Sequence, residues 1–218
     1  MKRIGLVSIV MMIFLLSGSG LFAEPAGTGN MLVVFDDRES SSFNSINLVA
    51  IAGWSRDGKV AVYQPGATEC PMWCIIDTIT DKVLEEDDWM SSWNVDEQER
   101  YSRFAQAMQK HQITDQKGAL VRLPYAYPAD IPPLLIEHDK LEHGSDGANI
   151  HAVRGTKRKK ITRVDPFGNI PEIVRIYAVK SPFEDRLLVI IQSKGLHIEF
   201  DYWITQFDYA GCHVTAGF

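Results

Sequence analysis

Apolar positions along this chain come in short runs broken by turn residues, and most runs are rich in Val, Ile, Tyr and Phe, the side chains that suit a half-buried pleated surface. Met31 to Phe35 is the first such run. A polar, Ser-rich stretch from Asp36 to Asn44 reads as a loop, followed by a strand over Ile46 to Trp54. Further strands are expected over Lys59 to Gln64, Met72 to Ile79, Ala119 to Leu123, Pro133 to Glu137, Ile150 to Val153 and Lys159 to Val164. The series ends with Ile173 to Val179, Arg186 to Gln192, Ile198 to Phe207 and Cys212 to Phe218. One segment departs from this rhythm: Asn94 followed by Glu97 fits a capping box, and Tyr101, Phe104, Ala105 and Met108 then share one helical face. A helix over about 95–110, packed on the sheet by that stripe, is predicted.

Residues 1–23 combine Lys2 and Arg3 with an apolar run from Ile4 to Leu16, then small residues and a cleavage site after Ala23. This is the pattern of a secretory signal peptide, and the run is shorter than the roughly 20 residues that span a bilayer. Gly, Pro and Thr mark 24–30 as a flexible leader, leaving 31–218 as a single mostly β domain. Without Lys2 and Arg3 the basic count drops from 22 to 20 against 28 acidic residues, a formal charge of −8. An acidic exported chain is a poor nucleic-acid binder, and a cleaved one is not transmembrane. The expected location is therefore periplasmic or secreted.

Trp54-Ser55-Arg56-Asp57-Gly58-Lys59, followed by Val60-Ala61-Val62-Tyr63, predicts a tight hairpin with Asp57-Gly58 in its turn. Cys74 to Val83 predicts another hairpin. The Trp54 to Tyr63 motif resembles the W-S-x-D-G-K strand pair of WD40-like propeller repeats in TolB-type periplasmic proteins. The Cys74 to Val83 segment is similar to that family's next hairpin, with Asp81 where its turn usually carries Gly. The resemblance covers about one blade and implies antiparallel, propeller-blade-like sheets. Ser181 to Ile191 is a weaker echo, a turn before a long apolar strand, without the Gly and the Trp. In length and layout the chain is also similar to small exported bacterial proteins of no assigned activity.

Candidate chemistry is sparse. Cys70-Pro71-Met72-Trp73-Cys74 predicts a disulfide between Cys70 and Cys74, or between one of them and Cys212. The alternative is a copper or redox site, with the two thiolates and Met72 as soft ligands and His197 or His213 completing it. Glu137-His138-Asp139-Lys140-Leu141-Glu142-His143 is dense in ligand types but one residue off the zinc hydrolase spacings, so surface duty is expected. Arg154, Lys157, Arg158, Lys159, Lys160 and Arg163 form a basic run that reads as an exposed edge or hairpin tip. It is a candidate docking patch for an envelope protein or an anionic envelope surface, or a partner for the acidic residues Glu85, Glu86, Asp87 and Asp88. No Gly-x-Ser-x-Gly elbow or phosphate-cradling loop occurs, and no cofactor is implied. These features together point to a non-catalytic binding or scaffold protein of the bacterial envelope, acting through sheet edges, loop aromatics such as Trp89 and Trp93, and the basic run.

Overall fold

Two strands are apolar without alternation, and the computed structural model shows why. It describes residues 30–37, 48–65, 72–87, 95–140, 147–165, 172–197 and 202–218, and residues from Met31 onward belong to one compact unit. Strands β1 (Leu32–Asp36), β2 (Leu48–Trp54), β3 (Lys59–Tyr63), β4 (Trp73–Asp77) and β5 (Lys82–Glu86) form an antiparallel meander, the first sheet. Helix α1 (Glu97–Lys110) and strand β6 (Ala119–Val121) follow. Strands β7 (Leu134–His138), β8 (Ala148–Arg154) and β9 (Lys157–Val164) make a separate three-stranded sheet. Strands β10 (Glu172–Lys180), β11 (Arg186–His197) and β12 (Tyr202–His213) pair with β6 in the order β12-β11-β10-β6. The protein is mainly β, with antiparallel sheets and one packed helix among the described residues, as its sequence pattern predicts. No helix among these residues is long and apolar enough to cross a membrane.

The layers stack helix, first sheet, β12-β11-β10-β6 sheet, β7-β8-β9 sheet. Val49, Ile51, Trp54, Val60, Val62, Cys74 and Ile76 of the first sheet meet Val179, Leu188, Ile190 and Phe207. Ala178, Leu187, Val189 and Ile191 point the other way, onto Leu134, Ile150, Ala152 and Val164. Strand β11 is thus buried on both faces, which is why Leu187 to Ile191 is a continuous apolar run rather than an alternating one. Strand β2 is sandwiched likewise, since Leu48 and Ala52 face the helix side with Ala61, Tyr63, Trp73 and Ile75, against Phe104 and Ala107. Each large side chain so buried contributes on the order of 2 kcal/mol.

Several expectations shift in detail. The helix is capped by Asp96, whose carboxylate accepts from Glu99 N at 2.7 Å; Asn94 lies outside the described residues. Its buried stripe uses Ala107 in place of the expected Ala105, because Ala107 falls one turn from Phe104 and Ala105 turns to solvent. The two predicted C-terminal strands, Ile198 to Phe207 and Cys212 to Phe218, are one strand that ends at His213. Gly211 is an interior position of this strand: a Cβ there would lie 1.6 Å from Thr78 O, so only glycine lets the two sheets approach.

The hairpin turn of Trp54 to Lys59 and its echo at Ser181 to Arg186 are packed together. The Arg56 guanidinium lies 5.4 Å from the centre of the Phe183 ring, and a Cβ on Gly58, which has φ +84, would sit 2.8 Å from Glu184 Oε1. Both turns close with a backbone hydrogen bond, Ser55 N to Lys59 O and Ser181 N to Arg186 O, each 2.9 Å. Trp54 itself is fixed by the segment leaving α1. Its indole N–H donates to Lys117 O at 3.1 Å, and its carbonyl accepts from Thr114 N and Oγ1.

Candidate functional site

The basic run divides into residues that build the fold and residues that face outward. Arg154 is 7 % exposed and donates to Tyr127 O, Pro132 O and Val214 O at 3.0, 2.8 and 2.9 Å. Lys159 donates to His213 O at 3.0 Å and to Ala216 O, and its ammonium sits 4.2 Å from the centre of the Phe218 ring. Burial pulls the Lys159 pKa below the ordinary lysine value. Lys157, Arg158, Lys160 and Arg163 are exposed on β9, an edge strand of its sheet. Arg158 pairs with Asp139 and Arg163 with Asp165, each at 2.9 Å. The exposed cations of this strand other than those two are Lys157 and Lys160.

The acidic residues expected to meet this run go elsewhere. Glu85 accepts from Lys110 Nζ at 2.7 Å and lies 3.0 Å from His111 Nε2, at the C-terminal end of α1 where cations suit the helix dipole. The Lys110 bond, with burial opposing and His111 adding, holds the Glu85 carboxyl below its usual range. Glu86 lines a cleft, Asp87 is buried, and Asp88 lies outside the described residues, as do Trp89 and Trp93.

That cleft, of 360 Å³, opens between β5 and β12, where the edges of two stacked sheets meet. Gln206, Phe207, Asp208 and Tyr209 all line it, and four successive residues can do so only if the strand edge faces the opening. Val83 and Glu86 form the opposite wall, with Cys74 and Ile76 at its floor. At one end Asp81 stands at φ 57 in the β4–β5 turn and accepts the Gly211 N–H at 2.5 Å. This is the position where the resemblance expects Gly, and Asp is among the residues that tolerate the left-handed region. At the other end the Tyr209 hydroxyl donates to Gln64 Oε1. Burial raises the Asp81 carboxyl and pushes Asp208 up to about 6, with Gln206 opposing and Asp165 adding to the shift. Such a cleft can accept a cation or a hydrogen-bond donor. Among the residues lining it there is no His and no hydroxyl nucleophile beside a base.

The expected disulfide is not formed. Cys74 and Cys212 are free buried thiols, and Cys70 lies outside the described residues. Cys74 sits in mid-strand on β4, its side chain packed in the core with Val62 and Ile76. Burial first, then the Glu86 charge, pushes its thiol up to about 12. A thiol held protonated in this way lacks the thiolate that metal binding and redox exchange require. His213 spends Nδ1 accepting from Thr215 N and Ala216 N at 3.2 and 3.0 Å, and the His197 side chain lies outside the described residues. In the Glu137 to His143 cluster, Asp139 accepts from Asn149 Nδ2 at 2.8 Å and from Arg158, with His151 Nε2 3.3 Å away. These contacts, Asn149 foremost, hold the Asp139 carboxyl below its usual range. Glu142 and His143 lie outside the described residues, and among those described no group of three His, Cys, Asp or Glu gathers as a metal site. No family model, curated protein or solved structure matches this chain.

Proposed function

We propose that the protein is an exported, non-catalytic binding or scaffold protein of the bacterial cell envelope. It meets an envelope protein or an anionic envelope surface along β9. The observation that carries this reading is the division of the basic run. Arg154 and Lys159 are spent inside the fold, whereas Lys157, Arg158, Lys160 and Arg163 stand on one exposed edge strand of an otherwise acidic molecule. The signal-peptide pattern of 1–23 and the likeness of Trp54 to Lys59 to TolB-type repeats support the envelope setting. The cleft, lined by no His and with its Cys74 thiol held protonated by burial, suits binding better than turnover.

A lysine near an anionic membrane surface contributes about 1 kcal/mol, so losing two weakens such docking by roughly thirtyfold. The test is the doubly substituted protein Lys157→Gln, Lys160→Gln, compared with the parent for recovery of cross-linked envelope partners and for binding to phosphatidylglycerol vesicles. Loss of either is the expected result. Unchanged recovery together with unchanged vesicle binding removes β9 as the docking surface.

A further inference from the structure

Strand β12 is the outer strand of its sheet, and no strand lies beside its free edge among the described residues. Its hydrogen bonds show which residues turn to that edge. Val214 N donates to Asp185 O, on the β11 side, whereas Gly211 N donates to Asp81 and His213 O accepts from Lys159, both on the other side. Alternate residues of an antiparallel strand point their backbone groups to the same edge. Phe207 therefore presents its N–H and C=O as Gly211 does, into the cleft between β5 and β12. Asp81 already uses this edge, its carboxylate standing where the carbonyl of a neighbouring strand would. We propose that β12 takes a further strand in this cleft, an extended segment of a partner protein that carries Lys or Arg.

Charge identifies the occupant. The β4–β5 register passes from Ile75↔Glu85 directly to Ile76↔Val83, so Val83 and Glu86 share one face with Ile76 and Cys74. That face is turned to the sheet of β12, since Cys74 and Ile76 belong to the core shared with Leu188, Ile190 and Phe207. Val83 is 52 % exposed at the cleft wall, and Glu86 beside it has no ion pair among the described residues. No Lys, Arg or His lines the cleft, whereas Asp81, Glu86 and Asp208 do. A strand laid along β12 turns alternate side chains toward the first sheet. An apolar one covers Val83 and a cationic one meets Glu86, while an anionic segment meets like charge. Main-chain bonds then supply the attraction and the alternate side chains the selection, as in other cases of strand addition. Asp81 closes the edge at Gly211, so the ladder is short and the contact weak and reversible.

The probe is a fluorescein-labelled peptide of alternating Lys and Val, titrated in low salt with purified protein to about 0.5 mM and read by fluorescence anisotropy. Saturable binding is expected. The same peptide with every amide nitrogen methylated keeps its charge and side chains but cannot form the ladder, and it should bind roughly thirtyfold more weakly. Glu86→Gln is expected to weaken binding of the unmethylated peptide about threefold and Glu86→Lys roughly tenfold. Equal affinity for the methylated and unmethylated peptides reduces the attraction to bulk charge and overturns the proposal. So does a parent that binds neither peptide, or unchanged affinity in both Glu86 variants.

Discussion

The guanidinium of Arg154 donates a hydrogen bond at 2.9 Å to the carbonyl of Val214, tying the end of β8 to the chain that leaves β12. Its other donors reach Tyr127 O and Pro132 O, so one side chain gathers three backbone acceptors from three segments. Its planar fork matches that spread, which an ammonium does not. Arg154→Met leaves three carbonyls without this donor and is expected to cost about 3 kcal/mol or more. Arg154→Lys recovers only part of that. Lys157→Gln, on the same hairpin but exposed, should stay within about 0.5 kcal/mol of the parent. Urea unfolding of the three proteins measures the ranking, and equal midpoints for Arg154→Met and Lys157→Gln would contradict it.

Composition and charge alone place Arg154 and Lys157 in one basic patch, and the strands pair them directly; their fates differ because three backbone carbonyls from three segments converge on the Arg154 guanidinium, whereas Lys157 stands exposed. The elements themselves are legible: Trp54 to Lys59 announces its hairpin through Asp57-Gly58, and Tyr101 with Phe104 announces the helix. The stacking of the sheets is not, because Leu187 to Ile191 carries no alternation to say that both faces are covered. The cleft is invisible in sequence for a related reason. Asp81 and Asp208 meet across 127 residues of chain through a register that no local pattern encodes. Cys74 misleads because the nearness of Cys70 suggests a bridge, whereas the sharing of one face by Val62, Cys74 and Ile76 marks it as a core position.

Glycine at position 211 is required by contact, not by backbone conformation. A Cβ there would reach within 1.6 Å of Thr78 O, the same carbonyl that accepts from Arg186 Nη1 at 3.0 Å. Gly211→Ala must push the β4–β5 turn off β12 and weaken the Asp81 bond to the Gly211 N–H, a loss expected at about 2 to 3 kcal/mol. Gly155 offers the opposite case. It holds φ +60 but its nearest neighbour to a Cβ, in Pro132, is 3.4 Å away, so Gly155→Ala carries only the left-handed penalty of about 1 kcal/mol. Thermal unfolding that places Gly155→Ala below Gly211→Ala would refute this assignment.

Cys74, 2 % exposed with its thiol pushed up to about 12, should resist alkylation in the folded protein. Iodoacetamide labelling followed by peptide mapping is expected to leave Cys74 and Cys212 unmodified in native buffer and to modify both in urea. Cys74→Ala should cost about 1 to 2 kcal/mol for the space it opens, and Cys74→Ser more, since a hydroxyl replaces a weakly polar thiol among Val62, Ile76 and Val60. Labelling of Cys74 at the rate of a free peptide thiol would contradict the buried position.

Asp208 makes stability depend on pH in the direction opposite to a salt-bridged carboxylate. Burial raises its folded value from 3.8 to about 6, so between those limits the unfolded chain has lost the proton that the folded chain still holds. The folded state's advantage from this group is complete below pH 4 and is lost as pH rises through 6. The difference amounts to at most about 3 kcal/mol at 1.36 kcal/mol per pKa unit. Oδ2 of Asp208 is buried without a hydrogen-bond partner, and only the long bond from Gln206 Nε2 to Oδ1, at 3.5 Å, offsets the charge once it forms. Asp208→Asn keeps the side chain neutral at every pH. It is expected to be more stable than the parent at pH 7.5 and to match it at pH 4, so that the two urea midpoints diverge as pH rises. A parallel course for the two proteins across this range would place the Asp208 charge in solvent.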